Sequence, residues 1–172
     1  MPLVGERLRS TREQIVLEHI DAENRRDYEA ALTTFERPRY EFVATDEVFE
    51  GASEVMDHWL ELDRAFPDQE DEIIAFHHAD ETVLVEAISR GTHLGSLRGM
   101  PPTGRKFELQ FACIFVFEGE RLICERVYFD TSTIFEQLGV ASRADSLRGR
   151  LGTVVNHPLT IGRGLVRRVT GA

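Results

Sequence analysis

The sequence predicts an α+β fold, a curved and mostly antiparallel sheet with N-terminal helices packed over one face. Three observations predict it. Apolar residues recur at helical spacing through the first third of the chain. From Asp71 the period switches to two, and it does not switch back until the strands are finished. From there the strand-like runs follow one another across turns and connectors, with no helix between them, which is the order of an antiparallel sheet beside a helical layer.

The elements follow in order. "STREQIVLEHIDAENRRDYEAALTTF" opens with Ser10 and Thr11 as cap candidates, and Glu13 completes a capping box with Ser10. Ile15, Val16, His19 and Ile20 mark a long helix. Tyr28, Ala31, Leu32 and Phe35 mark a short second one, divided from the first near Arg26–Asp27 and stopped by Pro38. "YEFVA" and "EVFEG" form a short hairpin through "TD". "SEVMDHWLELDRAF" is a third helix with Val55, Trp59, Leu62 and Phe66 on one face. "DQEDE" reads as a solvated strand entry. "EIIAFHHA" and "TVLVEAISRGTHLG" are strands, "PPTGR" is a connector, and "KFELQFACIFVF" and "RLICERVYFD" are two long strands joined at Glu118–Arg121. "TIFEQLG" is a short helix ending at Gly139.

Length and charge narrow the function. A chain of 172 residues favours one domain with a core of its own, here residues 1–142, followed by an extension over 143–172. Net charge is −10, which argues against nucleic acid and anionic membranes as partners. The extension holds Arg143, Arg148, Arg150, Arg163, Arg167 and Arg168 against one acid, Asp145, so it is about +5 on a body of about −15. Such a tail is expected to lie back on its own body or on a second subunit. No apolar run approaches the roughly 20 residues of a membrane span, and the first ten residues carry no signal-peptide core, so a cytoplasmic protein is expected. Cys113 and Cys124 sit in apolar strands and read as reduced core thiols. His77 and His78 point opposite ways along a strand, no metal-type spacing is present, and no metal or other cofactor is expected.

Strand faces suggest a cavity. Val83, Val85, Ala87, Ser89, Gly91 and His93 share a face on which side chains shrink and then meet a histidine. Arg126, Tyr128 and Asp130 share a face of the last strand. With a two-residue turn at Gly119–Glu120, Phe111 lies opposite Tyr128; a one-residue slip or bulge instead brings Gln110 beside Asp130. Both faces of these strands are apolar, so a cover of helices inside and a partner subunit outside is expected, a homodimer through the outer sheet face.

The stretch from Gly91-Thr92-His93 and Gly95, through Pro101-Pro102-Thr103-Gly104-Arg105, to the final strand ending in Asp130 and Gln137-Leu138-Gly139 resembles the SnoaL-like polyketide cyclases. These belong to the cone-shaped superfamily named for nuclear transport factor 2, and the resemblance covers about Gln14 to Val140. It implies a nuclear transport factor 2-like cone and an intramolecular aldol closure of a hydrophobic, carbonyl-rich small molecule without a cofactor. It also implies an aspartate at the end of the last strand as acid and base. Asp130 matches that aspartate. Tyr128 stands where the compared cyclases carry a histidine two positions earlier.

These implications and the strand faces give a set of expectations. Asp130 is the catalytic acid/base, with burial among phenylalanines raising it from about 3.9; the competing role is an N-cap. Arg126, Tyr128 and His93 orient substrate, and Trp59 and Phe111 line the apolar wall. Arg126 shares that face four residues before Asp130, about 13 Å along the strand between Cα atoms and within reach of its long side chain. It would hold Asp130 ionised and favour water activation, as in an epoxide hydrolase of this fold, unless another carboxylate takes it. A binding module without catalysis is the remaining alternative.

Overall fold

The computed structural model describes residues 2–142, 146–156 and 158–159. Helix α1 (Pro2–Asn24) and the short α2 (Tyr28–Thr33) are followed by strands β1 (Arg39–Phe42) and β2 (Glu47–Glu50), and then by α3 (Ala52–Ala65). Strands β3 (Glu70–His78), β4 (Thr82–Thr92), β5 (Lys106–Glu118) and β6 (Arg121–Phe129) come next, and α4 (Thr131–Gln137) and α5 (Leu147–Asn156) are the last elements among the described residues. The strands form one six-stranded sheet in the order β2-β1-β6-β5-β4-β3, antiparallel throughout except where β1 runs parallel to β6. This is the expected α+β cone.

Two local expectations need correction. Helix α1 begins at Pro2 and runs through Ser10 and Thr11, so neither is a cap. Proline suits a first turn, where its missing N–H leaves no bond unmade. In the acidic stretch before β3, Asp68 is not merely solvated: it accepts from the Thr92 N–H and hydroxyl, both at 2.6 Å.

The break between α1 and α2 is built at Arg26, in the left-handed region at φ 60°, with Asp27 capping α2 through the Ala30 N–H. The Arg26 side chain bonds Asp63 at 2.8 Å and the Pro67 and Gln69 carbonyls, which ties this corner to the end of α3. The core lies between the helices and one sheet face. Val16 and Ile20 of α1 and Val55 and Trp59 of α3 pack on Val85, Phe115 and their neighbours. Gly95 allows the chain after β4 to touch α3: a Cβ there would stand 1.9 Å from the Arg64 carbonyl oxygen.

The register of β5 and β6 is the bulged alternative. Glu118 pairs with Arg121 and Phe117 with Leu122, but Val116 then pairs with Cys124, leaving Ile123 as an extra residue. Beyond it Phe115 faces Glu125, Cys113 faces Val127, and Phe111 faces Phe129. One inserted residue reverses every later side chain. Leu122 is buried in the core, and Glu125, Val127 and Phe129 follow it inward, while Arg126 and Tyr128 turn to the outer face.

Both cysteines are free and buried. Among the described residues no helix is long and apolar enough to cross a membrane. Arg143, Asp145, Arg163, Arg167 and Arg168, and the side chains of Arg148 and Arg150, lie outside the described residues, and with them the expected docking of the basic tail.

Candidate active site

A cavity of about 190 Å³ lies between α1, α3 and the inner face of the sheet. Its wall is mainly apolar. Phe42, Trp59, Phe66, Phe107 and Phe111 contribute to it, and Tyr28 stacks on Trp59 at 5.4 Å. Into this wall are set four carboxyl groups: Glu23 from α1, Asp63 from α3, Asp71 from β3 and Glu125 from β6; Asp63 is paired with the Arg26 guanidinium at 2.8 Å.

The buried anchor of that acidic side is His19, one helical turn before Glu23 and fully buried. Its Nδ1 lies 2.8 Å from Thr34 Oγ1. The Thr34 hydroxyl already donates to the Ala31 carbonyl, so its oxygen accepts and Nδ1 carries a proton. Nε2 lies 2.6 Å from Tyr40 Oη, whose own hydrogen goes to Glu23 Oε1 at 2.7 Å, so Nε2 also donates. Both ring nitrogens are protonated, and His19 is an imidazolium. Burial alone would lower its pKa, but Glu23 and Glu125, at 3.4 and 3.3 Å from Nε2, outweigh burial and raise it to about 10. In return the His19 charge and the Tyr40 hydrogen bond overcome burial and hold Glu23 below its ordinary value. Glu125 Oε2 makes no hydrogen bond.

Asp71 is tuned the other way. Burial, reinforced by the Glu23 charge and opposed by Ser89, raises its carboxyl to about 6. Its backbone is clipped to the end of α1 by a reciprocal pair: Asn24 Nδ2 donates to the Asp71 carbonyl at 2.9 Å, and the Asp71 N–H donates to Asn24 Oδ1 at 2.8 Å. One carboxyl pushed up and one pulled down in the same apolar cavity is the pattern of a divided acid/base site.

His19, Glu23 and Glu125 each offer a ligand atom within 4.8 Å of the others, the one such group among the described residues. A cation there would have to displace the Nε2 proton and its bond to Tyr40. The arrangement is built around that proton, and it does not fit a resident metal.

The residues singled out in the sequence fall in three places. Trp59 and Phe111 line the cavity. His93 is buried beside Phe66, outside the cavity lining; its Nδ1 accepts the Thr103 N–H at 3.2 Å and fastens the connector after β4. Arg126, Tyr128 and Asp130 do not face inward, and this corrects the expectation. Arg126 Nε bonds Glu41 at 2.5 Å on the outer face, and Tyr128 is 41 % exposed. Asp130 is solvent-exposed and caps α4: Oδ2 accepts from Thr133 Oγ1 at 2.7 Å and Oδ1 from the Ser132 N–H at 2.9 Å. Those bonds lower its pKa instead of raising it. The bulge at Ile123 is the reason: it turns the neighbouring Glu125 inward in their place.

Sequence reasoning missed His19, Glu23, Tyr40, Asp71 and Glu125 as one group. The available signal was on the first helix, where His19 and Glu23 continue the apolar stripe of Ile15, Val16 and Ile20. A histidine and an acid one turn apart on a buried stripe must satisfy each other or a ligand.

A model of the SnoaL-like polyketide cyclases matches residues 13–138. Among solved structures the chain is similar to a candidate SnoaL-like polyketide cyclase from Jannaschia sp. CCS1, with a TM-score of 0.70 and 20% identity over 78% of this chain and 94% of that one. It is similar to IdmH, a candidate polyketide cyclase from Streptomyces antibioticus, with a TM-score of 0.64 and 21% identity over 75% and 99%. It is also similar to a protein of ketosteroid isomerase-like fold from Catenulispora acidiphila DSM 44928, solved with trimethylamine, with a TM-score of 0.64 and 20% identity over 77% and 95%. At these identities the likeness is one of fold. No curated protein sequence matches the chain.

Proposed function

The chain belongs to the SnoaL-like polyketide cyclase family, and from that premise we propose that it is a cofactor-independent cyclase or isomerase working through an enolate. The substrate is a hydrophobic, carbonyl-rich small molecule held in the cavity, and Asp71 is the proton carrier. The observation that carries the reading is the opposite tuning of Asp71 and Glu23 in one apolar cavity. As the carboxylate, Asp71 takes a proton from the carbon next to a carbonyl and leaves an enolate. In a cyclisation the enolate carbon bonds a second carbonyl carbon, and protonated Asp71 returns its proton to the alkoxide. In an isomerisation the proton returns to another carbon. A carboxyl near 6 is suited to both directions, whereas one near 3.9 is a weak base. The His19-centred cluster keeps Glu23 charged, and that charge helps hold Asp71 up.

In this reading Asp71 takes the role that the family resemblance implies for Asp130. The hydrolase alternative loses its support, because Arg126 is engaged by Glu41 and Asp130 by α4. The reading is tested by following deuterium uptake at the α-carbons of 2-tetralone in D2O. Uptake above buffer, with a pH break near 6, is expected for the wild type; it should fall at least about 100-fold in Asp71→Asn and persist in Asp130→Asn. Loss of uptake in Asp130→Asn with retention in Asp71→Asn would reverse the assignment. A wild type no faster than buffer would favour the non-catalytic binding module.

We also propose a homodimer through the outer sheet face, on the support of exposed Ile74 and Tyr128 around a shallow hollow with Ile88 and Ala112. The two free thiols fit a reducing compartment, the cytoplasm.

A further inference from the structure

One wall of the cavity holds a histidine with nothing to bond. His58 lies on α3 next to Trp59 and is 4 % exposed. Its ring stacks on Phe49, with centroids 4.2 Å apart and planes at 26°, and lies 4.6 Å from Phe42. Neither Nδ1 nor Nε2 has a hydrogen-bond partner. Burial, with the Arg98 guanidinium second, lowers its pKa to about 4, so the ring is neutral at pH 7. A neutral imidazole presents one donor and one acceptor. Packing alone would be served better by phenylalanine here, since burying two unpaired polar atoms costs stability and brings nothing in return. His19, only 6.0 Å from Trp59 between ring centroids, shows the contrast, with both of its nitrogens engaged.

We propose that His58 is a ligand-recognition residue that binds an uncharged hydroxyl or carbonyl oxygen on the flat apolar body of the substrate. The inference rests on reading the cavity as the substrate site, and it sharpens the substrate class. The ligand carries two separated polar points on an apolar frame. One meets Asp71 and the other meets His58. A hydroxyl suits His58 best, because it can both accept from one nitrogen and, in another pose, donate to the other, as an anion cannot. The acidic side of the cavity likewise disfavours an anionic group.

The test compares 2-naphthol with 2-methylnaphthalene, which have the same shape and differ by hydroxyl against methyl. Affinities are followed by isothermal titration, and 15N NMR of histidine-labelled protein reports the ring nitrogens. With wild type, 2-naphthol is expected to move the His58 resonances and 2-methylnaphthalene to leave them in place. In His58→Phe the ratio of the two affinities should shift by about tenfold or more toward 2-methylnaphthalene, while the unliganded variant melts no lower than wild type. His58→Gln, which keeps a donor and an acceptor, should retain part of the preference and provides the comparison if His58→Phe does not fold. An unchanged ratio in the folded variant, or His58 nitrogens unmoved by bound 2-naphthol, overturns the proposal and leaves the cavity reading intact. If neither probe binds, both fall together.

Discussion

A buried histidine is normally neutral, and His19 is the exception that organises the cavity floor. Its proton is held because both nitrogens donate and two carboxylates face the ring. The folded pKa of about 10 exceeds the ordinary 6.5, so its stabilisation is fully present below 6.5 and lost as pH rises through about 10. Glu23, lowered in the fold, gives the opposite limb: its contribution is present above the ordinary 4.5 and is lost as pH falls through the depressed value. His19→Gln leaves two buried carboxylates facing each other without a cation. It should cost about 3–5 kcal/mol at pH 7, read by urea unfolding, and the gap to wild type should close above pH 10. A gap that persists undiminished at high pH would show that His19 acts by packing alone.

At the scale of elements, the site depends on two points where the chain departs from regular geometry. The bulge at Ile123 decides which residues of β6 enter the cavity, and Gly95 decides how closely the end of β4 meets α3. Leu94 and Gly95 both donate to the Ala65 carbonyl, so the contact is made by backbone on both sides and has no soft side chain to yield. Gly95→Ala should therefore destabilise by at least about 1–3 kcal/mol, measured by thermal unfolding. A variant that melts with wild type would mean that the strand end can retreat without cost.

At the scale of the whole molecule, the described helices α1–α3 pack on one face of the sheet, and the proposed homodimer would use the other. The outer face carries Tyr128, Ile74 and Ala112, and the described part of the extension carries Leu147, Leu151, Val155 and Leu159, all exposed and four residues apart. Tyr128→Lys should shift the protein toward monomer in analytical ultracentrifugation. Truncation after Ala144 should do so as well if the basic extension covers a second subunit. Unchanged sedimentation in Tyr128→Lys would remove the outer face from the interface.

The sequence by itself determined the fold. The switch from a period of 3.6 to a period of two at Asp71, the Pro38 and Gly139 stops and the β5–β6 turn are local signals, and hydrophobic burial acts on them residue by residue. It also marked Trp59 and Phe111, because large apolar residues on a patterned face have few places to go but inward. Only the tertiary structure decided which carboxyl groups enter the cavity. Ile123 adds one residue to a strand of alternating side chains, and no local property of "LICERVYFD" states that it bulges; the gain comes from the partner strand and the helices packed above it. That one residue left Asp130 as a helix cap and turned Glu125 toward His19. Asp71, from a stretch that reads as solvated, comes inward opposite Ser89 of β4, in an apolar cavity where burial raises its pKa.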